Sequence, residues 1–78
     1  MDDADRATLL WNNELLATLI RRLAGAGVIS EHGADALAEE VRAHAASKYP
    51  QLEEQFAFAA ALLRVGIAEE CQARRDQQ

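Results

Sequence analysis

Phe56–Ala68 reads FAFAAALLRVGIA, thirteen residues with a single charge, Arg64. At helical spacing Leu52, Phe56, Ala59, Leu63 and Gly66, with Ile67 beside them, form one apolar stripe. Phe58, Ala61, Leu62 and Val65 form a second, a quarter turn or more away. Together the stripes cover more than half the circumference, wider than a surface helix needs. Two packings satisfy such a helix. It lies between two other helices, meeting each with one stripe, or one stripe faces its own bundle while the other meets a second molecule. The preceding segment weighs towards the second packing. Its inward stripe, Ala34, Leu37, Ala38, Val41 and Ala45, is mostly small and contributes little area against two phenylalanines. Phe56 and Leu63 are therefore expected in the core, with Phe58, Leu62 and Val65 less protected.

The flanking chain punctuates this helix. Tyr49-Pro50 ends the segment before it, because the residue preceding proline avoids the α region, and Pro50 serves as an early helical residue. Upstream, AGAGVIS (24–30) reads as a stop. Gly25 or Gly27 takes the left-handed position, Val28 folds back as its hydrophobic contact, and Ser30 caps the next helix. Ile29 is placed to staple onto Ala34. In the first segment Leu9, Leu16, Leu19, Ile20 and Leu23 share one stripe with Leu15 at its edge, Asp3 or Asp5 caps the start, and Arg21 and Arg22 suit the end. No strand periodicity occurs. The expectation is all-α: a compact antiparallel three-helix bundle forming one domain over residues 1–78. Its helices run about 5–24, 31–48 and 50–75, with Gly66 able to set off a short fourth helix at 68–75.

The totals fit a small core. Half of the 78 residues are hydrophobic, but seventeen are alanine. A domain of this size stands near the limit at which one core stabilises itself, and oligomerisation or docking often supplies the rest. One cysteine, Cys71, excludes an intramolecular disulfide. The start MDDADRATLL is acidic where a signal peptide needs a basic region, and no apolar run reaches the ~20 residues of a bilayer span, so a cytoplasmic location is expected. A net charge of −5 argues against direct binding of nucleic acid and against anionic membranes, both of which call for clustered Lys and Arg.

Catalytic and metal chemistry find no constellation. Glu40 and His44 share a helical face and would make half a metal site, without a second pair to complete it. Glu69 and Glu70 beside Cys71 raise a thiol pKa, and Arg74 and Arg75 oppose them. Ser30 and Ser47 fall at helix ends, and the glycines do not form a phosphate-binding loop. No catalytic residue, metal or cofactor is expected, and the chain is read as a non-enzyme. Asn12 falls inside the first leucine stripe, where a polar side chain either reaches water or fixes register and oligomeric state.

Acids concentrate in the middle. Residues 31–54 hold Glu31, Asp35, Glu39, Glu40, Glu53 and Glu54 against Arg42 and Lys48. Glu31, Asp35 and Glu39, four apart, line one edge of helix two. They form either an acidic ridge for a basic protein groove or a solvated face relieved by Arg42. In size, charge and helical content the whole chain resembles the phage-encoded anti-CRISPR proteins, with no motif behind the likeness. That resemblance implies an inhibitor that occupies the basic, nucleic-acid-binding surface of a type I CRISPR effector complex, with the acidic residues above as its generic contact feature. The competing class is a structural or regulatory homodimer with Phe58, Ala61, Leu62 and Val65 as its seam. A helix-turn-helix regulator is a weaker reading of residues 24–41, since its second helix would turn carboxylates towards phosphates.

Overall fold

A computed structural model describes residues 2–77, and it is helical with no strand among the described residues. Helix α1 spans Asp3–Gly25, α2 Glu31–Lys48 and α3 Glu53–Asp76, with a 3-10 turn at Pro50–Leu52 leading into α3. The three helices pack against one another.

Local chemistry sets each boundary. The cap of α1 is Asp2, one residue earlier than the sequence suggests: its carboxylate accepts from the Asp5 backbone N–H at 2.8 Å. Asp3 and Asp5 then fall inside the first turn, where they favour the positive end of the helix dipole. The stop is a Schellman turn. Gly27 takes φ 78°, the Val28 N–H donates to Leu23 O at 3.0 Å and the Gly27 N–H to Ala24 O at 3.1 Å. Val28 does not fold back as expected, however: it is 69% exposed. Ile29, one residue on, packs on the core in its place. Ser30 caps α2 by accepting from the Gly33 N–H at 2.9 Å. Lys48 ends α2 and Pro50 opens the 3-10 turn.

Gly66 does not break the third helix, and no fourth helix follows: α3 is continuous from Glu53 to Asp76. The glycine serves a close approach. A Cβ there would lie 2.5 Å from Cδ of Arg21, so its absence lets that side chain cross α3.

The residue pairs define the layout. Along α2 and α3, Glu31 meets Arg75, Asp35 meets Arg64, and the Tyr49 ring lies 6.4 Å from that of Phe56. Numbers rise on one helix as they fall on the other. Between α1 and α3 they rise together, with Arg21 against Gly66 and Gly25 against Glu70. Contacts between α1 and α2 are sparse, so α3 is the shared partner of both. The core is small and lies where the three meet. Ala24, Ala34, Ile67 and Cys71 are buried together, with Ile20, Ile29 and Leu63 packed around them. Ile67 is the one large side chain fully buried among the described residues.

Much of the expected core is uncovered. Of the α1 stripe, Ile20 and Leu23 are half-buried, while Leu9, Leu15, Leu16 and Leu19 are exposed. On α2, Ala34 and Ala38 are buried, but Leu37 and Val41 are exposed. On α3, Phe56 and Leu63 are half-buried and Ile67 buried, while Ala59 is exposed and Ala60 half-buried instead; Leu52, in the preceding 3-10 turn, is exposed. The physical reason is the small inner face of α2. Alanines bring α2 close to α3 but do not reach across to the amino-terminal half of α1. The radius of gyration is 13.8 Å, against about 11.5 Å for a compact chain of this length.

Candidate functional site

Two surfaces carry the side chains that the sequence singles out. The first is the outer face of α3. One residue turns a helix by 100°, so Phe58 lies half a turn from the buried Ile67, and Leu62 and Val65 flank it. All three are exposed, Phe58 at 67%, and Ala61 is exposed beside them. More than half of the surface of each of the three large side chains is open to solvent. Of the two packings open to helix three, the structure therefore has α3 meeting both neighbours with one side.

The second surface is the acidic row, where Arg42 relieves Glu39 as one of the two readings expects and α3 supplies unexpected partners for Glu31 and Asp35. Glu31 and Asp35 are half-buried at the α2–α3 seam. Arg75 Nη1 donates to Glu31 Oε1 at 3.3 Å, and Arg64 Nε lies 3.8 Å from Asp35 Oδ1. That oxygen is shielded from solvent and accepts no hydrogen bond, so the Asp35–Arg64 contact is one of charge alone. Glu39 is held in a fork by Arg42, with Nε donating at 2.9 Å and Nη2 at 2.6 Å. This hydrogen-bonded guanidinium holds the Glu39 carboxyl below its ordinary range and raises Arg42 in turn. The ridge is thus paired residue by residue within the chain. Glu40, Glu53 and Glu54 are exposed and, among the described residues, have no ion-pair partner.

The candidates for chemistry are placed as follows. Cys71 is buried, and burial first, with the nearby Glu31 carboxylate second, pushes its thiol up, while Arg75 and Arg74 pull it down less strongly. A buried thiol held in its neutral form is a poor nucleophile. Beside it an open depression of about 380 Å³ is lined by Gly27, Ser30, Glu31, Arg74 and Arg75, of which Glu31 and Arg75 pair across the seam. Among the described residues no group of three or more His, Cys, Asp or Glu side chains is positioned to hold a metal ion. No helix among them is long and apolar enough to cross a membrane.

One surface escapes a reading by stripes alone. Leu10 and Trp11 are exposed on α1 together with Leu9, Leu15, Leu16 and Leu19, so the helix is apolar around most of its amino-terminal half. The signal was present in the spacing: Trp11, Leu15 and Leu19, four apart, form a row beside Leu9 and Leu16. Asn12 is exposed within this patch.

Comparison of the chain with protein-family models, with curated proteins and with solved structures finds no match.

Proposed function

We propose that this chain is a non-enzymatic protein-association module that acts through its uncovered apolar surface. The observation that carries this reading is the Phe58–Leu62–Val65 stripe, three large apolar side chains on the side of α3 turned away from its own core. Monomeric soluble proteins rarely leave contiguous apolar surface of this kind without a use for it in association. The architecture is read as an antiparallel three-helix bundle in which α2 opposes α1 and α3. The Glu31–Arg75, Asp35–Arg64, Tyr49–Phe56 and Arg21–Gly66 contacts support that reading.

A second reading rests on Glu40, Glu53 and Glu54, the acids of residues 31–54 that have no ion-pair partner among the described residues. In it the same module presents these carboxylates to a basic, nucleic-acid-binding site, of the kind the likeness to anti-CRISPR proteins implies for a type I CRISPR effector complex. It draws less support from the ridge proper, because Glu31, Asp35 and Glu39 would have to exchange an internal arginine for an external one.

Capture of partners at low and high salt separates the two. Under the apolar reading Phe58→Lys abolishes capture, and raising the salt leaves wild-type capture intact. Under the acidic reading Glu53→Lys with Glu54→Lys abolishes it, and wild-type binding weakens with salt as screening sets in. Retention of binding by Phe58→Lys, with loss on charge reversal, would overturn the first reading.

A further inference from the structure

We propose that the apolar half of α1 is covered by α1 of a second copy of this chain, the two helices packing in opposite directions. The inference rests on reading the uncovered apolar surface as an association surface, and it names the occupant of one part of it.

Surface area is the first argument. A compact monomer of 8.5 kDa exposes about 4,650 Å². This chain exposes 5964 Å², an excess of about 1,300 Å² over that value. A stable interface buries about 800 Å² on each partner, and obligate homodimers bury more. The excess is of the size that a dimer removes.

Spacing is the second. Leu9, Asn12, Leu16, Leu19 and Leu23 follow one another at intervals of three, four, three and four. That is the a/d seam of two helices packed along their length. Within the protomer Leu23 is half-buried, while Leu9, Asn12, Leu16 and Leu19 are exposed.

Charge and length fix the direction. The first half of α1 carries Asp3, Asp5 and Glu14 against Arg6, and the second half carries Arg21 and Arg22 with no acid. Parallel packing stacks the acids on their own copies, whereas antiparallel packing sets each acidic half against a basic one. Overlapping the two copies of Asp3–Gly25 end to end places Leu9 opposite the partner's Leu19 and Leu16 opposite the partner's Asn12. The same register brings both Asp5 and Arg6 beside the partner's Arg22 and sets the two Glu14 residues level with each other, so the charge argument is one of net charge per half and not of individual pairs. The full overlap and the a-to-d pairing select one register, and the opposite net charges of the two halves select the direction.

Trp11 supplies the readout. It is the one tryptophan of the chain, 68% exposed in the protomer and adjacent to the seam. Sedimentation across a concentration series should show a dimer whose indole emission shifts to the red as dilution releases it. Leu16→Lys should raise the dissociation constant at least ~100-fold, and the milder Leu16→Ala should weaken it while retaining the helical signal. Phe58→Lys should leave the dimer unchanged. Mixing Leu9→Cys with Leu19→Cys protein should give a mixed disulfide, and Leu9→Cys alone should give none. A disulfide in Leu9→Cys alone would overturn the antiparallel arrangement. A dimer broken by Phe58→Lys but not by either Leu16 variant would overturn the α1 seam and leave the α3 stripe as the association surface. A wild-type protein monomeric throughout, with a solvated indole at every concentration, would also overturn the seam. The broader reading would then stand or fall on whether partner capture depends on Phe58.

Discussion

The two halves of α1 carry the same kind of side chain and meet different fates. Ile20, Leu23 and Ala24 are covered, while Leu9, Leu15, Leu16 and Leu19 are open to solvent. Helical periodicity does not separate them, because one stripe runs through both. What differs is the surface opposite. Residues 20–25 meet Gly66, Ile67, Glu70 and Cys71 of α3 and the alanine face of α2, where small side chains admit a third helix. Residues 9–16 have no such floor: all of them are exposed. Periodicity identifies which side of a helix is apolar, and the size of the residues across the gap decides how far along its length that side is closed.

The largest expected effect lies at the closed end. Ile67 is fully buried, at 0% exposure, and truncation of a buried isoleucine to alanine costs about 2–5 kcal/mol. A domain of this size has few such increments to lose. Ile67→Ala should therefore be largely unfolded by circular dichroism, while Leu16→Ala should remain folded. Equal losses in the two variants, measured at a concentration where the protein is monomeric, would erase the distinction between covered and uncovered halves.

Next comes the turn that joins α1 to α2. Gly27 holds φ 78°, and a Cβ there would lie 2.6 Å from the Arg74 guanidinium. Gly27→Ala should cost about 1–2 kcal/mol for the left-handed backbone, read as a lowered denaturation midpoint. Arg74→Ala in the same background removes the clash but not the strain. A full return to wild-type stability in that double variant would show that crowding, and not backbone conformation, was the penalty.

These features also show what was legible in the residues. Gly27, Ser30 and Tyr49-Pro50 mark the helix ends, because each acts through its own backbone and near neighbours. The identity of the inner α3 stripe followed from Phe56, Leu63 and Ile67. Gly66 was ambiguous: a mid-helix glycine looks like a break until Arg21, far away in sequence, is seen to lie across it. The acidic row was legible as a row but not as a set of pairs, since Arg64 and Arg75 reach Asp35 and Glu31 only once α3 has folded back on α2. Long-range pairing of this kind leaves no local trace in the chain.

A smaller effect is expected from Cys71, at the centre of the closed region. Burial raises its thiol above the ordinary value, with Glu31 adding to the shift and Arg75 and Arg74 opposing it. Below about pH 8.5, the usual thiol range, both folded and unfolded chains hold the proton and the group makes no difference. Above that range the unfolded thiol ionises first, the unfolded chain binds fewer protons than the folded one, and stability falls as pH rises. Cys71→Ala should flatten that alkaline slope relative to wild type, whatever its effect on stability at neutral pH. Identical slopes in the two proteins would show that the thiol titrates alike in both states.

The smallest effect, and the sharpest check on the comparison, is expected on the outer face of α3. Phe56 and Phe58 are two residues apart in one helix, so their side chains leave it about 200° apart. Phe56 is half-buried against Tyr49, with the rings tilted by 57°. Its truncation to alanine should cost about 2 kcal/mol, below the 3–5 kcal/mol of a fully buried phenylalanine. Phe58 loses no internal packing when truncated, and alanine is the better helix former. Phe58→Ala should therefore stay within about 0.5 kcal/mol of wild type. Denaturant unfolding of the two variants side by side measures the difference directly, with the slope against denaturant reporting any change in the surface exposed. If Phe58→Ala proves as costly as Phe56→Ala, and does so independently of protein concentration, its ring is packed within the protomer. The outer stripe would then be core, and association would have to be carried by α1 and the unpaired acids. If the cost grows with protein concentration instead, the ring is buried by a second molecule, and α3 shares the work of self-association with α1.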